Sequence, residues 1–280
     1  MIKIHSELCK GCGECDAVCH ESCMEVVNKK ITIDKGSCST CGQCIAICPE
    51  QALWWDDNKP EAFNPALSVD KRHMAELLME RRTNRHLSPN KPPKLLLEEI
   101  INMGAYAPTH AFNMRCVTID DEAIIDLIDS ELFQSTKKIY NMFFKPAIIR
   151  WMLNFMPTVL KNEYYKAKPK LEYSVKMKRA YIQRPPAIIY VVGNRSAPLA
   201  VESAQYALYN MDLYARTCGL ACRNLTGNNM FINKSSKVRK ALGLIKNEDI
   251  FAALAIGYPA KKFRNKVMGR KFSIAWNPGR

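Results

Sequence analysis

CKGCGECDAVC (Cys9–Cys19) and CSTCGQCIAICP (Cys38–Pro49) share one spacing, C-x-x-C-x-x-C-x-x-x-C. Three thiolates on so tight a loop can wrap three irons of a cubane. The fourth iron needs a ligand from another direction, and the second, pseudo-symmetric run can supply it. The spacing therefore assigns one 4Fe–4S cluster to Cys9, Cys12, Cys15 and Cys48, and a second to Cys38, Cys41, Cys44 and Cys19. Zinc is the competing reading, but zinc sites close on C-x-x-C pairs with four ligands in all, not on two four-cysteine runs.

The two runs resemble those of bacterial two-cluster ferredoxins. One departure is His20, which follows Cys19 where the pattern has proline. Cys23 has no place in the pattern and reads as a small buried residue.

Working outward, the chain has 280 residues, twelve cysteines and 48% hydrophobic residues. Nine of the cysteines fall between Cys9 and Cys48. A disulfide framework would be spread through a small secreted fold, so the clustering points to metal. The N-terminus shows no secretory pattern, which places the protein in the cytoplasm. The greasiest stretch, 139–160, contains Lys145, Arg150, Pro146 and Pro157, so it does not read as a membrane span. Residues 1–60 hold six Lys/Arg against nine Asp/Glu, and the remainder thirty-five against eighteen. That basic remainder excludes nothing by itself, but no nucleic-acid motif accompanies it, so an anionic cofactor or substrate is the favoured partner.

Composition changes near residue 60. DDNKPEAFNP (Asp56–Pro65) reads as a linker. Beyond it, Ser68 or Asp70 caps a helix to about Arg82. Pro92 and Pro93 open another that ends at Gly104, and 121–132 is a third. PAIIYVVGN (Pro186–Asn194) and IFAALAIGYP (Ile250–Pro259) read as buried strands, and FSIAW (Phe272–Trp276) as a third. A long helix starts at Pro198 and closes at Gly219, and 233–242 is a further helix. The class is α+β.

MERRTNRHL (Met79–Leu87) sets three arginines at a helix end, either a solvated face or a bidentate phosphate clamp. AYAPTHAFNMRCVTI (Ala105–Ile119), CGLACRNLTG (Cys218–Gly227), ALGLIKNEDIFAALAIGYP (Ala241–Pro259) and the basic tail GRKFSIAW follow in order. In this order the segments resemble the nitroreductase family of FMN enzymes over residues 70–280. The resemblance implies a small ferredoxin-like 2x4Fe–4S domain at 1–60, a linker at 61–69 and a nitroreductase-like FMN domain at 70–280. It implies FMN contacts from Arg81, Arg82, Thr83 and Arg85, from Pro108, Thr109 and Asn113, from the turn at Gly219 and Leu220, and from Arg270 and Lys271. It also implies an intertwined homodimer with FMN at the interface. Asn113 stands one residue late, Arg115 replaces the usual Gln, and Ala221 replaces a Gly. His110 reads as structural, and Cys116, Cys218 and Cys222 as packing residues.

The implied activity is a flavin-dependent reductase. An external donor, reduced ferredoxin or flavodoxin, feeds the clusters, then FMN, then an electrophilic small molecule: a nitroaromatic, quinone, activated alkene or halogenated aromatic. Two alternatives stay open. One is a module relaying electrons to a protein partner, and the other is a flavin-modifying or cofactor-maturation enzyme on the same fold. Residues 137–184 form an insertion with twelve Lys/Arg against Glu163 and Glu172, interleaved with Phe143, Trp151, Phe155 and Tyr165. It reads as a packed helix pair, a substrate lid or a membrane-surface element.

Protein purified without oxygen is expected to carry about eight irons and eight acid-labile sulfides per chain. Chemical analysis returning about half of that would overturn the two-cluster assignment.

Overall fold

The computed structural model describes residues 1–109, 113–181, 183–269 and 271–277. The N-terminal part is two copies of one small unit. Strand β1 (Ile2–Ile4) is followed by helix α1 (Glu14–Ala17), and strands β2 (Met24–Val27) and β3 (Lys30–Ile33) by helix α2 (Gln43–Ile47) and strand β4 (Leu53–Trp55). The outer strands pair antiparallel, Ile2 opposite Trp55, and the inner two form a hairpin, Met24 opposite Ile33. Ile2, Met24, Ile31 and Leu53 make a small core with the cysteines around it. Gly11 has φ +66, and a Cβ there would lie 2.4 Å from the Lys29 carbonyl oxygen. Only glycine lets the first cysteine loop close against the hairpin.

Helix α3 (Lys71–Glu80) begins where Asp70 accepts hydrogen bonds from the Arg72 and His73 amides, as its sequence predicts. Helix α4 (Lys94–Gly104) starts after Pro93. Strand β5 (Met114–Ile119), which the sequence did not announce, precedes helix α5 (Glu122–Ile139), capped by Asp121. Then come the insertion helices α6 (Ala147–Met152) and α7 (Thr158–Met177), strand β6 (Ala187–Asn194), helix α8 (Ala200–Thr217) and strand β7 (Ala221–Asn224). The predicted helix over 233–242 is present as α10 (Ser236–Ala241), starting where Ser235 caps it, and a separate short helix α9 (Asn229–Ile232) precedes it. Strand β8 (Glu248–Gly257) closes the sheet.

The four strands run β5-β6-β8-β7, all antiparallel. Along β6, Ile188, Tyr190 and Val192 face a core shared with α5, while Ala187, Ile189 and Val191 face α4 and α8. Both faces are therefore covered, which is why β6 and β8 read as unbroken apolar runs. Cys116, Cys218 and Cys222 pack into the α4–α8 side, as expected. FSIAW is not a strand: Phe272 and Trp276 are exposed and the segment pairs with no strand among the described residues.

Within the insertion, α5 continues through a π-turn at Tyr140–Phe144. Phe144 stacks on Tyr164 at 4.5 Å and Leu153 is buried, so part of the segment does pack as a helix pair. Trp151 and Phe155 meet at 5.0 Å but are 59% and 75% exposed, so packing does not account for all of it. No helix among the described residues is long and apolar enough to cross a membrane.

Arg115 on edge strand β5 forms a bidentate pair with Glu248, with both bonds at 2.7 Å, and donates to the Gly243 carbonyl at 3.1 Å. The guanidinium holds the Glu248 carboxyl below its ordinary value of 4.5. Arg115→Met is expected to lower stability by about 1 kcal/mol, a half-exposed charged pair being weaker than a buried one. A depressed carboxyl stabilises above its unfolded pKa and loses that contribution as pH falls through the folded value. Denaturation of wild type and variant should thus differ by a constant amount near neutrality, and the gap should close as pH drops below 4.5.

Candidate functional site

Two cages of thiols stand in the N-terminal part. Cys9, Cys12, Cys15 and Cys48 ring a cavity of about 310 Å³, floored by Ile31 and Leu53. Cys19, Cys38, Cys41 and Cys44 ring another of about 310 Å³, beside Ile2 and Ile33. Each cage thus takes three cysteines from one run and its fourth from the other, as the spacing requires. Cys23 also lines the second cage. Among the described residues, no three His, Cys, Asp or Glu converge tightly enough to hold a single metal ion. Four thiols gathered from two runs, with no three closing on a single point, suit a polynuclear iron–sulfur group and do not suit zinc. Burial pushes the Cys15 thiol up and the Cys44 thiol to about 11, so only a cationic partner would stabilise these sulfurs as thiolates.

In the second part, the arginine element leaves the end of α3. Arg81 caps that helix, lies 6.0 Å from the Tyr209 ring centre and donates to Asp212 at 3.5 Å. Burial nevertheless raises the Asp212 pKa, outweighing the pull of Arg81. Arg82 donates to the Arg81 carbonyl at 2.6 Å, and its buried Nε has no partner. Thr83 is half-buried between Arg82 and Asn84.

Asn84, 3% exposed, fixes the whole element. Its amide donates to the Cys222 carbonyl on β7 at 2.9 Å, its Nδ2 to the Lys261 carbonyl at 2.9 Å, and its Oδ1 accepts from the His86 amide at 2.9 Å. Residues 86–88 then run beside the exit of β8, with Ser88 donating to Tyr258 and Ala260 to His86.

Two cavities flank this seam. The smaller, about 250 Å³, is lined by Arg85, Arg223, Tyr181, Gln183, Leu87 and Leu225, among others. Arg223 comes from β7, and burial together with the nearby Arg85 charge lowers its pKa. Among the described residues neither arginine forms an ion pair, so two cations share one wall without a counter-charge, which fits an anionic occupant. The larger, an open cleft of about 1010 Å³, runs between α3, the Gly219–Leu220 turn and residues 259–266. Arg216, Lys261, Lys262, Arg264 and Lys266 outnumber Glu76 and Glu80 around it. Gly219 has φ +75, which lets α8 turn straight into β7, and the Leu220 side chain goes into the core.

The predicted residues are therefore only partly assembled. Arg85 reaches the smaller cavity, and Gly219 and Leu220 the larger. Pro108, Thr109 and Asn113 line neither. Asn113 precedes β5 on one sheet edge, at the end where Met114 pairs with Gly193 and Gly193 with Asp249. Cys222 lies on the other edge, near the opposite end of β8, paired with Ile256. The two halves of the expected FMN site are thus at diagonal corners of a four-stranded sheet, where strands are spaced about 4.8 Å apart. Lys271 is exposed and lines neither cavity; Lys261, Lys262, Arg264 and Lys266 are the tail cations at the cleft. His110 and Arg270 lie outside the described residues. Arg115, where the family pattern has Gln, is committed to Glu248. Asn84 and Arg223 are the residues that sequence reasoning missed. Nothing local marked either residue, since the strand that carries Arg223 is itself unannounced by the sequence.

An α+β redox fold with a thiol-caged N-terminal unit and an arginine-lined cleft is thus the class of protein before us. The Nitroreductase family model matches residues 78–258, more than half of the chain, and a 4Fe–4S dicluster domain matches residues 1–49. The chain belongs to the nitroreductase family and carries an N-terminal 4Fe–4S domain. A nitroreductase with bound FMN from Bacteroides fragilis is 17% identical over 74% of this chain and 100% of that one, with a TM-score of 0.52. One from Desulfitobacterium hafniense, also with FMN, is 14% identical over 75% and 99%, at 0.53. Iodotyrosine deiodinase bound to FMN and 3-iodo-L-tyrosine is 21% identical over 73% and 98%, at 0.52. At these identities the likeness is one of fold. No curated protein matches the chain.

Asn84→Ala is expected to lower stability by roughly 0.5–1.5 kcal/mol, because it removes the side-chain hydrogen bonds to the Lys261 carbonyl and the His86 amide. Calorimetry reads the loss; an unchanged melting temperature would show that the seam holds without this side chain.

Proposed function

We propose that this chain is an FMN- and iron–sulfur-dependent reductase for electrophilic small molecules, fed with single electrons at residues 1–60. The observation that carries the reading is the pair of four-thiol cages on the same chain as an arginine-flanked nitroreductase fold. When bound, the clusters supply one-electron transfer and the flavin supplies hydride or stepwise electron transfer to substrate. The protein's part is to hold, orient and shield.

Arg81, Arg82, Thr83 and Arg85 would hold the flavin phosphate and ring edge, with Asp212 steadying Arg81 at 3.5 Å. Tail cations at the cleft would add charge to the phosphate side. Pro108, Thr109 and Asn113 would come from a second copy: an intertwined homodimer is the arrangement that brings diagonal corners of the sheet to one flavin. The exposed Trp151 and Phe155 of the insertion support reading 137–184 as a lid over the substrate. Its surplus of lysines suits an anionic acceptor. Nitroaromatics, quinones, activated alkenes and halogenated aromatics are the acceptor classes within this chemistry. Cysteines gathered in two ligand runs and not spread as a disulfide framework suit the reducing cytoplasm. Reduced ferredoxin or flavodoxin is the matching class of donor.

Rapid mixing tests the route. The full chain is expected to be reduced quickly by a reduced ferredoxin, and a variant lacking residues 1–60 at least tenfold more slowly, on the order of the loss when a positioned donor becomes a diffusing one. If NADH reduces the shortened variant as fast as the whole protein, electrons do not need the N-terminal unit and the proposal fails.

A further inference from the structure

The two halves of the N-terminal unit are related by a shift of 29 positions, which carries Cys9, Cys12, Cys15 and Cys19 onto Cys38, Cys41, Cys44 and Cys48. The same shift carries the strand Ile2–Ile4 onto Ile31–Ile33, and Met24 onto Leu53. It carries Cys23 onto Ala52. Both positions are buried, at 7% and 1% exposure, and each lines the cage that holds the cysteine four residues before it. Ala52 offers its cage a backbone amide, which donates to the Cys48 sulfur at 3.3 Å. Cys23 adds a side chain that Ala52 lacks: its Sγ is 3.4 Å from the Cys19 Sγ. Between two free thiols either sulfur can donate. Once Cys19 is a metal-bound thiolate it has no proton, and only the Cys23 S–H can donate.

We propose that Cys23 is a fifth thiol of the second cage, which donates a hydrogen bond to the Cys19 sulfur and so sets the cluster held there at a higher potential than its twin. This rests on the two-cluster reading above. The physical ground is that hydrogen bonds to cluster sulfurs withdraw negative charge and favour the reduced form. Surplus negative charge on a reduced cubane is stabilised by any donor aimed at its ligands, and the first cage has no side-chain donor at the matching place. The two halves share one ligand pattern and one fold. They also differ elsewhere, Lys10 against Ser39 and His20 against Pro49 among other positions, but it is the Cys23–Ala52 difference that sets a thiol against a ligand sulfur. Electrons entering the unit would then settle on the cluster ligated by Cys19, Cys38, Cys41 and Cys44, which makes that cage the reservoir and the other the pass-through.

The test uses the full chain, purified without oxygen, as wild type and as Cys23→Ala, Cys23→Val and Cys23→Ser. Each is assayed for iron and titrated potentiometrically by electron paramagnetic resonance. Two separate midpoints are expected in the wild type. In Cys23→Ala and Cys23→Val, the more positive midpoint should move negative while the other stays. Cys23→Ser, which keeps a donor, should retain most of the wild-type separation, and iron content should equal that of wild type in all variants. Midpoints unmoved by Cys23→Ala overturn the inference while leaving the two-cluster reading intact. So does an equal shift in Cys23→Ser, which would make the effect one of packing. Iron lost from Cys23→Ala would make Cys23 a ligand and not a donor. Wild-type protein with a single cluster overturns both readings.

Discussion

Asn84 carries a buried amide into the place where α3, β7 and the exit of β8 meet, and it satisfies three groups there at 2.9 Å each. A buried amide left half-paired costs free energy, so the segment from Arg81 to Ser88 has one low-energy path past the sheet. The arginines inherit their places from that path. Arg81 stays at the helix end against Asp212, and Arg85 is delivered to the cavity that Arg223 also lines. The basic tail inherits its place too, since Lys261 is bound through its backbone and leaves its side chain for the cleft.

The N-terminal unit is held by a different constraint. Its hydrophobic core is small, and the cysteines are part of it: Cys9, Cys15, Cys23 and Cys44 are buried beside Ile2, Met24 and Leu53. Burial raises the pKa of the Cys15 and Cys44 thiols, which are poor ligands until a cation arrives, so binding of a metal group there would consolidate this unit. The exchange of fourth ligands between the halves adds to this. Cys48 belongs to the first cage and Cys19 to the second, and neither half can complete its cage alone.

Charge divides along the same line. The cage-bearing residues 1–60 are acidic before any cluster is counted, and the remainder is strongly basic. The cations concentrate where the fold leaves openings, along the cleft between α3 and residues 259–266 and over the insertion. In the insertion, Trp151 and Phe155 meet each other but stay exposed, while Phe144 and Leu153 pack inward.

The sequence by itself determined whatever depends on neighbours within a few residues. Cysteine spacing dictated both cages, Asp70 and Asp121 dictated helix starts, and the unbroken apolar runs of β6 and β8 declared strands covered on both faces. Order and spacing of the later segments were enough for the family. Sequence could not announce β5 or β7, because short mixed strands such as Met114–Ile119 owe their conformation to the ladder beside them. For the same reason FSIAW, apolar but paired with no ladder among the described residues, is no strand. Tertiary structure alone decided that Arg115 serves Glu248, that Arg223 faces Arg85, and that Asn84 is the pin of the arginine element. It alone put Asn113 and Cys222 at diagonal corners of one sheet. The physical reason is range: caps and ligand runs are satisfied within a turn or two of chain, whereas these contacts join residues more than a hundred positions apart, and only the packed sheet brings them together.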